Sequence, residues 1–200
     1  MTFRPAEIGL AIADPTRAVI GYNCAKIAED WANRLFRDGR PHSGDDTEQN
    51  AFKHAFWNAL MVKELGKWAY QERFINSGGR IGEFIDDHVL GGSEQSRWYW
   101  AVDYGVWWAQ AFGDAHENDP QIPFVNIGGN TAQRHAMDYR NNQVGRNIAS
   151  AMLKANRNEL DRNLGHQVMN YLVNRMSVPA DRRMIVLLPE YDMNVIRHRI

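Results

Sequence analysis

Residues 47–70 read TEQNAFKHAFWNALMVKELGKWAY, and their pattern decides the fold. In the first half, Ala51, Phe52, Ala55, Phe56, Trp57, Ala59, Leu60, Met61 and Val62 cover nearly every face of a helix. A helix apolar all round belongs inside a domain, surrounded by other elements. Asp46 followed three residues later by Gln49 resembles a capping box, which predicts a helix starting near Thr47 and running to about Tyr70.

The flanking segments supply what such a helix needs around it. From Pro15 to Phe36, apolar residues recur at mixed three- and four-residue spacing, the pattern of an amphipathic helix. Ser93 to His116 reads as a helix with an aromatic core of Trp98, Tyr99, Trp100, Tyr104, Trp107, Trp108 and Phe112. A further helix is expected from Thr131 or Ala132 through Asp138 and Asn142 toward Asn156, and another over Glu159 to Arg175, ended by Pro179. Between them, residues 37–44 and 118–130 read as loops. The glycine-rich stretch Asn76 to Ser93 reads as a long excursion able to form a lid. Met184 to Leu188 is a short apolar run compatible with a strand, although one strand cannot form a sheet. The expected fold class is therefore all-α, a single domain over residues 1–200 with about five to seven helices.

Composition narrows the function classes. The chain has 200 residues, 44% hydrophobic and 11% aromatic, enough for a sizeable core. A formal net charge of −1 gives no global basic field for holding nucleic acid by bulk electrostatics. Cys24 is the single cysteine, so there is no disulfide partner and no zinc-thiolate chemistry. The N-terminal apolar stretch is broken by Asp14 and Pro15 and reads as no signal peptide. Trp98 to Phe112 is shorter than the roughly 20 residues of a spanning helix and contains Asp103, so it reads as a buried helix.

Three polar groups stand out against this apolar background. Asn50 and His54 are four apart on the central helix and share a face. His116 and Glu117 sit where the aromatic helix ends. Asp138, Asn141 and Asn142 lie close together on a later helix, with Asp138, Asn142 and Arg146 on one face. Each has a structural alternative. His54 reads equally as a hydrogen-bonded core histidine, His116 as a histidine favoured by a helix C-terminus, and Asp138 as the N-cap of its helix.

Together the groups offer two imidazoles, two carboxylates and several amides. His54, His116, Glu117 and Asp138 make a ligand set suited to a divalent transition metal, zinc or manganese, rather than to calcium. In a metal-dependent hydrolase these four and Asn142 would form the catalytic set. Asn50, Lys53, Asn141 and Arg146 would bind or position substrate, with Lys53 or Arg146 neutralising a phosphate. A metal-free alternative uses His54 and His116 as an acid and base pair oriented by Glu117 and Asp138. The other histidines, His42, His88, His135, His166 and His198, read as surface residues, with His135 the exception to watch because it lies one turn from Asp138. The order His, His-carboxylate, Asp is similar in pattern to helical metal-dependent phosphohydrolases, with Glu117 where those carry aspartate.

The segments Asn50 to Met61 (NAFKHAFWNALM), Gly113 to Glu117 (GDAHE) and Met137 to Arg146 (MDYRNNQVGR) resemble a little-characterised bacterial family of polymorphic-toxin tip domains. Its pattern is N-A-F-(R/K)-H-A-(Y/F)-W-x-A-L-M, then A-H-E, then M-D-x-x-N-N-x-x-G, and it is found at the C-termini of Rhs-type and wall-associated proteins. The resemblance spans residues 47–148. It implies a secreted antibacterial effector, delivered into a target cell by a specialised system. Its partners would be a secretion-system carrier or larger toxin polypeptide and a cognate immunity protein. Combined with the polar set, the expectation is a hydrolase acting on phosphoester bonds in nucleic acid, nucleotide or phospholipid. Two alternatives stand beside it: a membrane-active, pore-forming toxin using the Trp-rich helix, and a non-enzymatic binding module in which the polar set is a buried structural network.

Overall fold

The computed structural model describes residues 5–36, 47–76, 93–117, 131–174 and 184. These form α1 (Pro5–Ala13), α2 (Pro15–Leu35), α3 (Glu48–Tyr70), α4 (Glu94–Glu117), α5 (Thr131–Ala155) and α6 (Asp161–Val173), with a π-helical turn at Gln71–Asn76 extending α3. No strand occurs among the described residues, and the protein is all-α. The glycine-rich residues 77–92, the segments 37–44 and 118–130 expected to be loops, the apolar run 185–188, and His42, His88 and His198 lie outside the described residues.

The central helix is α3. It packs against α2, α4, α5 and α6, and Phe52, Phe56, Leu60, Met61 and Leu65 are fully buried in the core. Burial on all sides explains why its apolar residues do not keep to one stripe. Thr47, with an extended backbone, precedes its first turn and makes no side-chain cap bond. The amide of Gln49 donates to Asn33 Oδ1 on α2 at 2.9 Å, a tertiary contact to the neighbouring helix. Asp46 lies outside the described residues.

The start of α2 follows local chemistry. Asp14 accepts the backbone N–H of Arg17 at 3.0 Å, and Pro15 occupies the first turn, where its missing N–H costs nothing. The short helix α1, which the sequence pattern does not announce, packs on α2 and α4.

Two glycines set how closely α3 meets its neighbours. A Cβ on Gly145 of α5 would collide with the Ala55 carbonyl oxygen of α3, and one on Gly105 of α4 would collide with the Val62 carbonyl oxygen. Only glycine permits these backbone-to-backbone approaches. They bring α4 and α5 against the same helix that carries His54.

The aromatic content of α4 goes into packing and cation–π contacts. Trp98 and Phe112 are buried. Trp98 donates its indole N–H to the Leu153 carbonyl at 2.6 Å. The Arg17 guanidinium lies 4.5 Å from the Trp68 ring and 4.6 Å from the Trp108 ring, and donates to the Tyr104 hydroxyl. Trp107 is the exposed tryptophan of this helix. No helix among the described residues is long and apolar enough to cross a membrane.

Candidate metal centre

The site is built on a stripe of α3. Asn50, His54 and Asn58 follow one another at four-residue intervals, so all three side chains leave the same face. They meet α5, whose Asp138, Asn142 and Arg146 repeat the same four-residue rhythm. Asn50 Nδ2 donates to Asp138 Oδ1 at 3.0 Å, His54 Nδ1 lies 3.3 Å from Asn142 Oδ1, and Arg146 Nη1 donates to Asn58 Oδ1 at 2.9 Å. Two helical stripes thus pair rung by rung, and a rung at Asn58 and Asn142 ties neighbouring pairs together at 2.7 Å.

The end of α4 completes the cluster. The His116 and His54 ring centroids are 5.9 Å apart, and Glu117 Oε1 lies 3.6 Å from His54 Nδ1. One ligand atom each from His54, His116 and Glu117 lies within 4.8 Å of the others, and all three residues are buried. His54 Nε2 is 3.5 Å from Asp138 Oδ1, which places a second carboxylate at the edge of the group.

Surrounding residues orient these ligands. His116 Nδ1 lies 3.1 Å from Glu7 Oε1, so the carboxylate accepts the Nδ1 proton and, in the neutral ring, the lone pair is on Nε2. A carboxylate behind a histidine is the usual outer arrangement of a metal-binding imidazole. Trp57 stands edge-on to the His116 ring at 5.2 Å and is itself held by donating to the Gly21 carbonyl at 3.1 Å. Glu117 also reaches His135, with Oε2 3.4 Å from its Nδ1. Asp138 and His135, both on α5 and with side chains 15% and 24% exposed, are the least buried members and mark the solvent side.

Burial shifts the proton affinity of two groups, Arg146 and Cys24. Arg146 is 8% exposed, and burial pulls its pKa below the ordinary arginine value while nearby Asp114 opposes the change. It remains a cation, since a guanidinium does not deprotonate in a protein. The Cys24 thiol is pushed far up by burial first, then by the charges of Glu64 and Asp161, which removes it as a nucleophile.

Of the residues expected at the site, the structure brings together His54, His116, Glu117, Asp138, Asn142, Asn50 and Arg146. Asn141 is fully buried on α5, one residue away from the stripe. Lys53 is half-buried, and no hydrogen bond or ion pair joins it to the cluster, because consecutive helical residues diverge by about 100°. Asp138 lies inside α5 rather than at its N-cap. His135, set apart as the exception among the remaining histidines, does face the site.

Two members escaped the sequence reading. Asn58 was legible in principle as the next step of the Asn50 and His54 stripe. Glu7 carried no local signal, since its partner lies 109 residues away.

A family model described as a domain of unknown function (DUF6973) matches residues 8–85 and 92–172, spanning every helix that contributes to the cluster. The chain belongs to this family. No curated protein matches it, and no solved structure does. The match begins one residue after Glu7 and covers the three sequence blocks that carry His54, His116, Glu117 and Asp138.

Proposed function

We propose that this DUF6973 domain is a metal-dependent hydrolase of phosphoester bonds, working as the toxic module of an antibacterial effector. The observation that carries the chemistry is the convergence of His54, His116 and Glu117 within 4.8 Å in a buried setting, with Asp138 beside them. Two imidazoles and carboxylates suit zinc or manganese. A bound divalent ion would polarise a phosphoryl oxygen and make a nucleophilic water available near neutral pH.

In this reading His54, His116 and Glu117 hold the ion, and Asp138 accepts a proton or completes the ligand set at the solvent side. Glu7, Asn142 and His135 keep the ligands in place. Arg146 supplies fixed positive charge behind the amides. The effector setting, with export, a carrier polypeptide and an immunity protein, is supported by the three motif blocks alone.

The reading is tested by assaying purified protein on bis(p-nitrophenyl) phosphate with zinc or manganese, alongside His116→Ala and a delivery-independent toxicity assay in bacteria. Metal-dependent turnover and toxicity, both lost in His116→Ala with the fold intact, are expected. A fully toxic His116→Ala variant would sink the enzymatic reading. Leakage from pure lipid vesicles that survives changes at His54 and His116 would instead support a membrane-active toxin. The packing of Trp98 and Phe112 in the core speaks against that alternative.

A further inference from the structure

An imidazole can bind a metal or take a proton only through the nitrogen that lacks a hydrogen, so the tautomer of His54 decides where the site's chemistry points. The amides around it leave one consistent answer. Arg146 has donors only, so the atom of Asn58 that receives its Nη1 at 2.9 Å must be Oδ1. The other end of Asn58 faces the His54 backbone carbonyl at 3.2 Å, an acceptor only, so that end must be Nδ2. Asn58 is therefore locked at both ends by groups of fixed polarity.

The lock propagates. Asn58 Nδ2 donates at 2.7 Å to Asn142, which must present Oδ1 to receive it. The same Oδ1 lies 3.3 Å from His54 Nδ1, and an oxygen acceptor there requires a proton on that nitrogen. Glu117 Oε1, 3.6 Å from Nδ1, favours the same proton. Asn142 Nδ2 is left buried without a hydrogen-bond partner among the described residues, facing Gly113. Turning the amide over to satisfy it would set one N–H group against another at Asn58. The orphaned donor is thus the consequence of an orientation imposed from outside Asn142.

We propose that Asn58, held between Arg146 and the His54 carbonyl, acts through Asn142 as a positioning residue that keeps His54 in its Nδ1–H form. In the neutral ring the lone pair is then on Nε2, even though Asp138 Oδ1, 3.5 Å from that nitrogen, by itself favours a proton there. The inference deepens the metal-site reading, in which Nε2 becomes the atom through which His54 would join His116 and Glu117 in holding the ion, with Asp138 on the same side. Only that use of the lone pair depends on the reading; the tautomer itself does not.

The test is long-range 1H–15N NMR of the full chain without metal, at a pH where the imidazole is neutral, with His54 assigned by comparison with His54→Gln. His54 is expected to show a protonated Nδ1 and an unprotonated Nε2. Asn58→Asp is the sharper probe. Its carboxylate keeps a partner in Arg146 but turns an acceptor toward Asn142, whose amide should rotate and offer Nδ2 to His54, reversing the tautomer. Asn142→Asp retains an acceptor at both contacts and should leave the wild-type tautomer in place.

Reversal in Asn58→Asp with retention in Asn142→Asp supports the relay. An Nε2–H wild type, or an Asn58→Asp variant that folds with the wild-type tautomer, overturns it. If Asn58→Asp does not fold, the wild-type tautomer and Asn142→Asp still decide. Zinc titration separates the two claims. A protein with the predicted tautomer that binds no zinc and cleaves no phosphodiester keeps the relay and loses the hydrolase reading. A zinc-binding hydrolase with Nε2–H does the opposite.

Discussion

Glu7, on the first helix of the chain, orients His116 at the end of α4: their Oε1 and Nδ1 atoms lie 3.1 Å apart with both side chains buried. A short helix with two exposed isoleucines, Ile8 and Ile12, is thereby tied to the candidate centre. Replacing Glu7 by Ala should weaken zinc affinity by about 10- to 100-fold, the usual effect of removing a carboxylate behind a metal-binding histidine. Competition titration against a chelator measures this. Unchanged affinity would remove α1 from the site.

Asp138 tests the solvent side of the cluster. Asp138→Asn keeps an oxygen for Asn50 to donate to but loses the charge facing His54 Nε2. Turnover of a phosphodiester should fall by roughly 10²- to 10⁴-fold, the range for a lost general base or acid, with little change in melting temperature. Equal turnover would show that Asp138 merely anchors Asn50.

Gly145 tests the crossing that brings the two polar stripes together. Gly145→Ala drives a methyl group into the Ala55 carbonyl. Overpacking of this kind costs about 1–3 kcal/mol and occasionally more. Here the obstacle is backbone, which has little room to yield. Urea unfolding should show a clearly lower midpoint, and a midpoint matching the wild type would mean that α3 and α5 are not as close as described.

Lys63 predicts an alkaline limit to stability. It is buried on α3 and paired with Asp161 of α6 and with Glu64. Burial lowers its pKa, but the hydrogen bond and charge of Asp161, together with Glu64, more than offset this and raise it above the ordinary value of 10.5. A group whose folded pKa is raised contributes stability that is fully present below the unfolded pKa and is lost as pH rises through the folded one. Unfolding free energy should therefore decline above pH 10.5. Asp161→Asn should be less stable near neutrality and show a shallower alkaline decline. Parallel curves for the two proteins would contradict the pairing.

Much of the fold was legible because α3 states its own position: a helix apolar on every face has nowhere to go but the centre. The polar stripe was legible only in part. Asn50 and His54 announce themselves as a four-residue pair, yet Asn58, surrounded by Trp57, Ala59 and Leu60, passes for an isolated core amide until α5 supplies Asn142 and Arg146. Glu7 and the Gln49 contact with Asn33 are tertiary events with no local pattern behind them. Lys53 is next to His54 in sequence, but adjacency separates residues around a helix instead of joining them. The three blocks around His54, His116 and Asp138 meet because Gly145 and Gly105 let the helix backbones approach, a role that glycine in a helical pattern does not advertise.

The proposed role of His54, His116 and Glu117 is to hold a divalent metal ion. Elemental analysis of protein purified without chelator, repeated after zinc or manganese loading of wild type and of His54→Ala with His116→Ala, decides whether they do. Stoichiometric metal in the wild type and none in the doubly substituted but folded protein is the predicted result. Equal metal content in both, or none in either after loading, would contradict it.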